Sequence, residues 1–145
     1  MTPRRLILAA PALLLLPPEP ARASAEAMAE ALRAFTGGAA VTAGRVALEI
    51  SPLVENGNTV PLSVMVQSPM TQAEHIRAIA VFNERNPQPH VVTARFSRHS
   101  GQAMLATNIR LATSQTILAV AAFSDGSFWS DSAQVIVTLA ACLEG

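Results

Sequence analysis

A chain of 145 residues, half of them apolar and 14% charged, is long enough for one hydrophobic core and too short for two ordinary domains. Ten acidic residues balance ten basic ones, and every basic one is Arg, so no basic stripe is present to follow a phosphate backbone and nucleic acid is excluded as a partner. So few charges among so many apolar residues also exclude a disordered chain.

The N-terminus carries a targeting pattern. Arg4-Arg5 precede an apolar run from Leu6 to Leu16, and the small-residue stretch Ala21-Arg22-Ala23-Ser24-Ala25 follows, with two overlapping A-x-A sites. The run is too short to cross a bilayer and contains Pro11, which favours a cleaved signal peptide over residues 1–25 rather than a membrane anchor. Paired arginines ahead of a modest apolar segment resemble a twin-arginine signal, so a periplasmic address is expected, with no membrane association once cleavage after Ala23 or Ala25 has occurred. Cleavage there removes Arg4, Arg5, Arg22 and Glu19 and leaves a mildly acidic domain.

Residues 26–139 predict one short helix followed by strands. Over Glu26–Phe35, Met28, Leu32 and Phe35 recur at helical spacing, Ser24 or Glu26 suits the first turn, and Gly37-Gly38 stops the helix. Its apolar stripe serves core packing or partner docking, because the polar face lacks the basic cluster of a membrane-surface helix. From Arg45 the period becomes two, most plainly at Val60, Leu62, Val64 and Val66. Similar segments recur at Val46–Ile50, Ile76–Asn83, Val91–Ser97, Ala103–Leu111, Thr116–Phe123 and Ala133–Leu139. Asn56-Gly57-Asn58 offers residues tolerant of positive φ, Ser124-Asp125-Gly126-Ser127 fits a tight hairpin, and Pro87 and Pro89 mark a loop. With no helical pattern between strands, the expected class is all-β: an antiparallel immunoglobulin-like β-sandwich with a short N-terminal helix and a mobile C-terminal arm at 140–145.

The chemistry centres on Cys142, the single cysteine, placed beyond the last alternating strand. A buried Cys acting as a small hydrophobe is the bland reading; a position past the strand favours an accessible, reactive thiol. Cys142-Leu143-Glu144-Gly145 has the position of a prenylation box, but its third residue is charged and the chain carries an export pattern. A blue-copper site would require a His and a Met close after the Cys, and His75, His90 and His99 have no ligand spacing between them. Glu49, Glu55 and Glu74 read as scattered surface carboxylates, so no nucleophile with a positioned base is found and the protein is not expected to be an enzyme.

Five motifs in order, Glu55-Asn56-Gly57-Asn58-Thr59-Val60-Pro61, Ser68-Pro69-Met70-Thr71, Phe82-Asn83-Glu84-Arg85-Asn86-Pro87, Ile109-Arg110-Leu111-Ala112 and Ser124-Asp125-Gly126-Ser127-Phe128-Trp129, resemble the sulfur-carrier Y subunits of the Sox thiosulfate-oxidation system, the SoxY family. The resemblance implies a carrier whose C-terminal cysteine, here Cys142, bears thiosulfate-derived sulfur while separate enzymes act on it. It also implies no cofactor on the carrier, a SoxZ-like subunit as heterodimer partner, a haem enzyme that loads the thiol and a hydrolase that releases sulfate. The family's Gly-Gly-Cys-Gly-Gly ending is Ala140-Ala141-Cys142-Leu143-Glu144-Gly145 in this chain. Ala is stiffer than Gly, Leu143 adds bulk and Glu144 adds negative charge, so loading by an anionic substrate is expected to suffer. A SoxY-like binding module with a degenerate arm, which pairs with its partner without carrying sulfur, is the alternative to a working carrier.

Overall fold

The computed structural model describes residues 24–142. The expected signal segment therefore falls outside the described residues except for Ser24 and Ala25, as do Leu143, Glu144 and Gly145. Helix α1 (Ala25–Thr36) starts where Ser24, in an extended conformation, accepts the Ala27 N–H on its hydroxyl at 3.1 Å. It ends where Gly37 turns left-handed at φ 66° and the Gly38 N–H donates to the Arg33 carbonyl at 3.2 Å.

The strands are β1 (Val41–Ala43), β2 (Val46–Ile50), β3 (Leu53–Val54), β4 (Val60–Val66), β5 (Ile76–Asn83), β6 (His90–Arg95), β7 (Ala103–Ile109), β8 (Gln115–Phe123) and β9 (Phe128–Val137). A large sheet runs β1-β9-β8-β5-β6, with β3 also on β9, and faces a small sheet β2-β4-β7. The main core lies between the sheets, where the inward residues of β4 meet Ile76, Ile79, Val81, Ile117, Ala119, Ala121 and Phe123. A second cluster lies on the opposite face of the large sheet, where Met28, Ala31, Leu32 and Phe35 of α1 cover Ala78, Ala80, Phe82, Val120, Ala122 and Phe128.

This layering explains two kinds of strand sequence. Strand β4 has water on one side and alternates buried with exposed or half-buried residues, whereas β5 and most of β8 are covered on both faces and read as nearly continuous apolar runs. Alanines at 78, 80 and 122 let the helix approach, and the Phe35 ring stands edge-on to Phe82 and Phe128, with centroids 5.9 and 5.8 Å away.

The all-β class, the short helix and the two facing sheets match the expectation, but the sheets are not purely antiparallel. The free edge of β9 takes β1 against Phe128–Ser130 and β3 against Ile136 and Val137, both parallel. Strand β9 also begins at Phe128 rather than Ala133, because Ser130, Asp131 and Ser132 break the apolar alternation while their backbones still pair with β8. The hairpin turn falls at Ser124–Ser127 as expected, with Gly126 at φ 87°. Asn56-Gly57-Asn58 departs from its expected role, since none of the three has positive φ.

Candidate functional site

Cys142 is a free, exposed thiol. The chain that carries it leaves β9 at Val137 and runs against two loops, so it is tethered beyond Leu139 rather than projecting freely from there. The Thr138 N–H donates to Val54 O at 3.0 Å, and its hydroxyl donates to Glu55 O at 3.2 Å. Next, the Gly57 N–H donates to Leu139 O at 2.8 Å, and the Ala141 N–H donates to Leu111 O at 3.0 Å. The Leu111 N–H closes the arrangement by donating to Gly57 O at 2.8 Å. Finally the Cys142 N–H donates to Asn58 Oδ1 at 3.3 Å.

Gly57 is required here for space. A Cβ on it would stand 2.4 Å from Leu111 O, 3.0 Å from Ala141 N and 3.1 Å from Val137 Cγ1. The close backbone approach that holds the arm is therefore made by a glycine of the loop. Asn58 is aimed by its own turn, its backbone N–H and its Nδ2 both donating to Asn56 Oδ1 at 3.0 Å. The sequence singles out Cys142, but it shows Asn56-Gly57-Asn58 as a turn, Leu111 as part of a strand and both as family motifs, with no task at the arm. Local pattern carries no sign that these segments meet one another and the arm, Asn58 reaching across 84 positions to Cys142.

The other polar candidates stay apart from the thiol. His75 Nδ1 lies 2.9 Å from Thr71 O, His90 Nε2 lies 2.6 Å from Thr93 Oγ1, and His99 Nε2 accepts from Arg98 Nε at 3.2 Å. Glu74 pairs with Arg45 at 2.7 Å, and Glu49 accepts from Ser63 at 3.3 Å. Among the described residues no three His, Cys, Asp or Glu side chains are grouped to hold a metal ion. Beside the arm, Leu53 and its register partner Ile136 are more than half exposed, as is Leu139 at 61%.

The site thus belongs to a two-sheet, mostly β domain with one free, exposed thiol on a segment held against its loops. The chain belongs to the SoxY family: the family model for the sulfur oxidation protein SoxY matches residues 32–142, so the match extends to the cysteine. Among solved structures it is similar to the sulfur carrier protein SoxY from Chlorobium limicola f. thiosulfatophilum, with 20% identity over 79% of this chain and 95% of that one and a TM-score of 0.68. It is also similar in fold to a superoxide reductase (neelaredoxin) from Ignicoccus hospitalis, with 16% identity over 65% and 80% of the two chains and a TM-score of 0.58. A putative superoxide reductase from Thermotoga maritima has 24% identity over 71% and 89%, with a TM-score of 0.55. At these identities the likenesses show the fold alone. No curated protein matches in sequence.

Proposed function

We propose that this protein is a periplasmic sulfur carrier, with Cys142 as the atom of attachment for thiosulfate-derived sulfur. The observation that carries the reading is the exposed, unpaired thiol on the arm, inside the segment matched to the SoxY family. Family membership implies a Sox-system partner, and a SoxZ-like subunit is the one proposed. The protein supplies no catalytic group of its own.

The chemistry is a conjugation followed by a hydrolysis. The Cys142 thiolate and thiosulfate join through a new sulfur–sulfur bond, and the two electrons released pass to a separate haem enzyme. Water, brought in by a separate hydrolase, then cleaves the terminal sulfonate as sulfate with release of two protons, leaving a persulfide on Cys142. A cysteine suits this task because sulfur–sulfur bonds form and exchange through the thiolate. Export through a twin-arginine signal fits a carrier that meets its substrate outside the cytoplasm. Cleavage after Ala23 would keep Ser24 as the cap of α1, whereas cleavage after Ala25 would remove it.

Intact mass of the chain after incubation with thiosulfate and the loading enzyme tests the reading. A sulfonate-bearing adduct on the native chain, absent from Cys142→Ala, is expected. Co-purification of Cys142→Ala with the SoxZ-like subunit should be unimpaired, because the thiol is exposed and packs into neither core cluster. An unmodified native chain under conditions that load another family member would remove the carrier reading.

A further inference from the structure

Asn86 lies in the loop between β5 and β6, is only 9% exposed, and has no task in the chemistry above. Its side chain is nevertheless fully engaged with a distant segment. Nδ2 donates to Arg110 O at 2.7 Å, and Oδ1 accepts the Ala112 N–H at 2.9 Å and Gln115 Nε2 at 2.9 Å. In an extended segment the carbonyl of one residue and the N–H two residues later point to one side, while the N–H and carbonyl of the residue between them point to the other. Asn86 therefore replaces a neighbouring strand along one edge of residues 110–112. The N–H and carbonyl of Leu111 are left facing the opposite edge, where they meet Gly57 O at 2.8 Å and the Ala141 N–H at 3.0 Å.

The clamp is itself fixed. The Asn86 N–H donates to Asn83 Oδ1 at 3.0 Å, and Asn83, 1% exposed, donates through Nδ2 to Gln88 O at 3.0 Å. Gln115 accepts the Arg85 N–H at 3.0 Å while giving Nε2 to Asn86 and to Thr113 O. An asparagine that served only to shape its own loop would spend its side chain on that loop. This one spends it on the two residues flanking Leu111, which is fully buried and bonded to the root of the arm.

We infer that Asn86 is the positioning residue of the carrier arm, setting through Leu111 the place from which Cys142 leaves the sandwich. The purpose rests on the carrier reading above; the mechanical coupling does not. Removing the amide frees one edge of residues 110–112, so Leu111 can tilt and Ala141 loses its fixed acceptor.

Amide hydrogen exchange on the purified chain tests this, comparing native protein with Asn86→Ala, Asn86→Asp, Gln115→Ala and the control Phe123→Leu. Phe123 is buried at the opposite end of β8 from Gln115, about 26 Å away at 3.3 Å per residue. In Asn86→Ala the Leu111 and Ala141 amides should exchange at least about tenfold faster, while Thr138 and Val120 keep their protection. Asn86→Asp keeps the acceptor but turns a carboxylate oxygen toward Arg110 O, so the same two amides should again exchange faster; Gln115→Ala, which removes one donor to Asn86 Oδ1, should give a smaller increase at them and answers the question if neither Asn86 variant folds. Phe123→Leu should speed Ala141, Thr138 and Val120 together. Unchanged exchange at Ala141 in the Asn86 and Gln115 variants, or acceleration only in step with Thr138 and Val120, overturns the inference. Selective loss at Ala141 in a protein whose native form takes up no sulfur would support the coupling while removing the carrier reading.

Discussion

The backbone N–H of Cys142 donates to Oδ1 of Asn58 at 3.3 Å, joining residues 84 positions apart. The bond is exposed and neutral, so its net worth is about 0.5–1.5 kcal/mol. It thus sets how often the arm opens at Cys142 without deciding whether the domain folds. Asn58→Ala should raise exchange of the Cys142 amide about fivefold, the equivalent of roughly 1 kcal/mol, and leave the denaturation midpoint nearly unchanged. A clear drop in the midpoint would show that Asn58 supports the fold and not the arm.

Gly57 is the tighter constraint. A Cβ added there would lie 2.4 Å from Leu111 O, and the obstructing atom is backbone and cannot swing aside. Gly57→Ala should cost about 1–3 kcal/mol, as overpacking does, or shed that cost by releasing residues 138–142 from the loop. Chemical denaturation combined with limited proteolysis distinguishes these: a lowered midpoint with an intact C-terminus indicates strain, and rapid trimming near Leu139 indicates release. Neither effect would mean that the loop has room to move.

The helix is anchored by an aromatic contact. Phe35 is half-buried and meets both Phe82 and Phe128 edge-on, so Phe35→Ala should destabilise the domain by about 2–3 kcal/mol, less than truncating a fully buried aromatic. Because the inter-sheet core lies on the other face of the large sheet, loss should be concentrated in α1. Helical signal by circular dichroism, followed on heating, should fall before the sheet signal; a single coincident transition would show that helix and sandwich melt as one unit.

At the β8–β9 turn the Ser127 hydroxyl donates to Asp125 Oδ1 at 2.6 Å and the Ser127 N–H at 2.8 Å, and the carboxyl is held below its ordinary value of 3.8, first by the hydroxyl and then by the backbone bond. A lowered folded value means that the turn's stabilisation is present above the ordinary carboxylate range and is lost as pH falls through the lower folded value. Ser127→Ala should move the Asp125 titration upward, read from its side-chain carbon shift by NMR. An unmoved titration would assign the depression to the backbone bond and to Arg45, the charge that also acts on it.

Glu144 lies two residues from Cys142, at most about 7 Å along an extended chain and within a Debye length of about 10 Å at 0.1 M salt. Alkylation of Cys142 by neutral iodoacetamide should outpace that by anionic iodoacetate. The gap should narrow in Glu144→Gly and in high salt. Equal narrowing by salt in both forms would place the field elsewhere.

What the sequence determined by itself is what depends on local pattern. Ser24 and Gly37 bound the helix through capping chemistry that needs only near neighbours, and Val60, Leu62, Val64 and Val66 mark the inward face of β4 because strand geometry repeats every two residues. The turn at Ser124–Ser127 and the isolated thiol of Cys142 are legible in the same way. Tertiary structure alone decided what hangs on backbone groups meeting across long separations. Strands β1 and β3 are two or three residues long and exist because the edge of β9 offers unpaired N–H and carbonyl groups, which any side chain could accompany. The course of the arm likewise depends on the Leu111 carbonyl, the Gly57 N–H and the side chains of Asn58 and Asn86. Backbone carbonyls are identical in every residue, so no residue type announces such a meeting, and only the folded chain brings the thiol's tether against them.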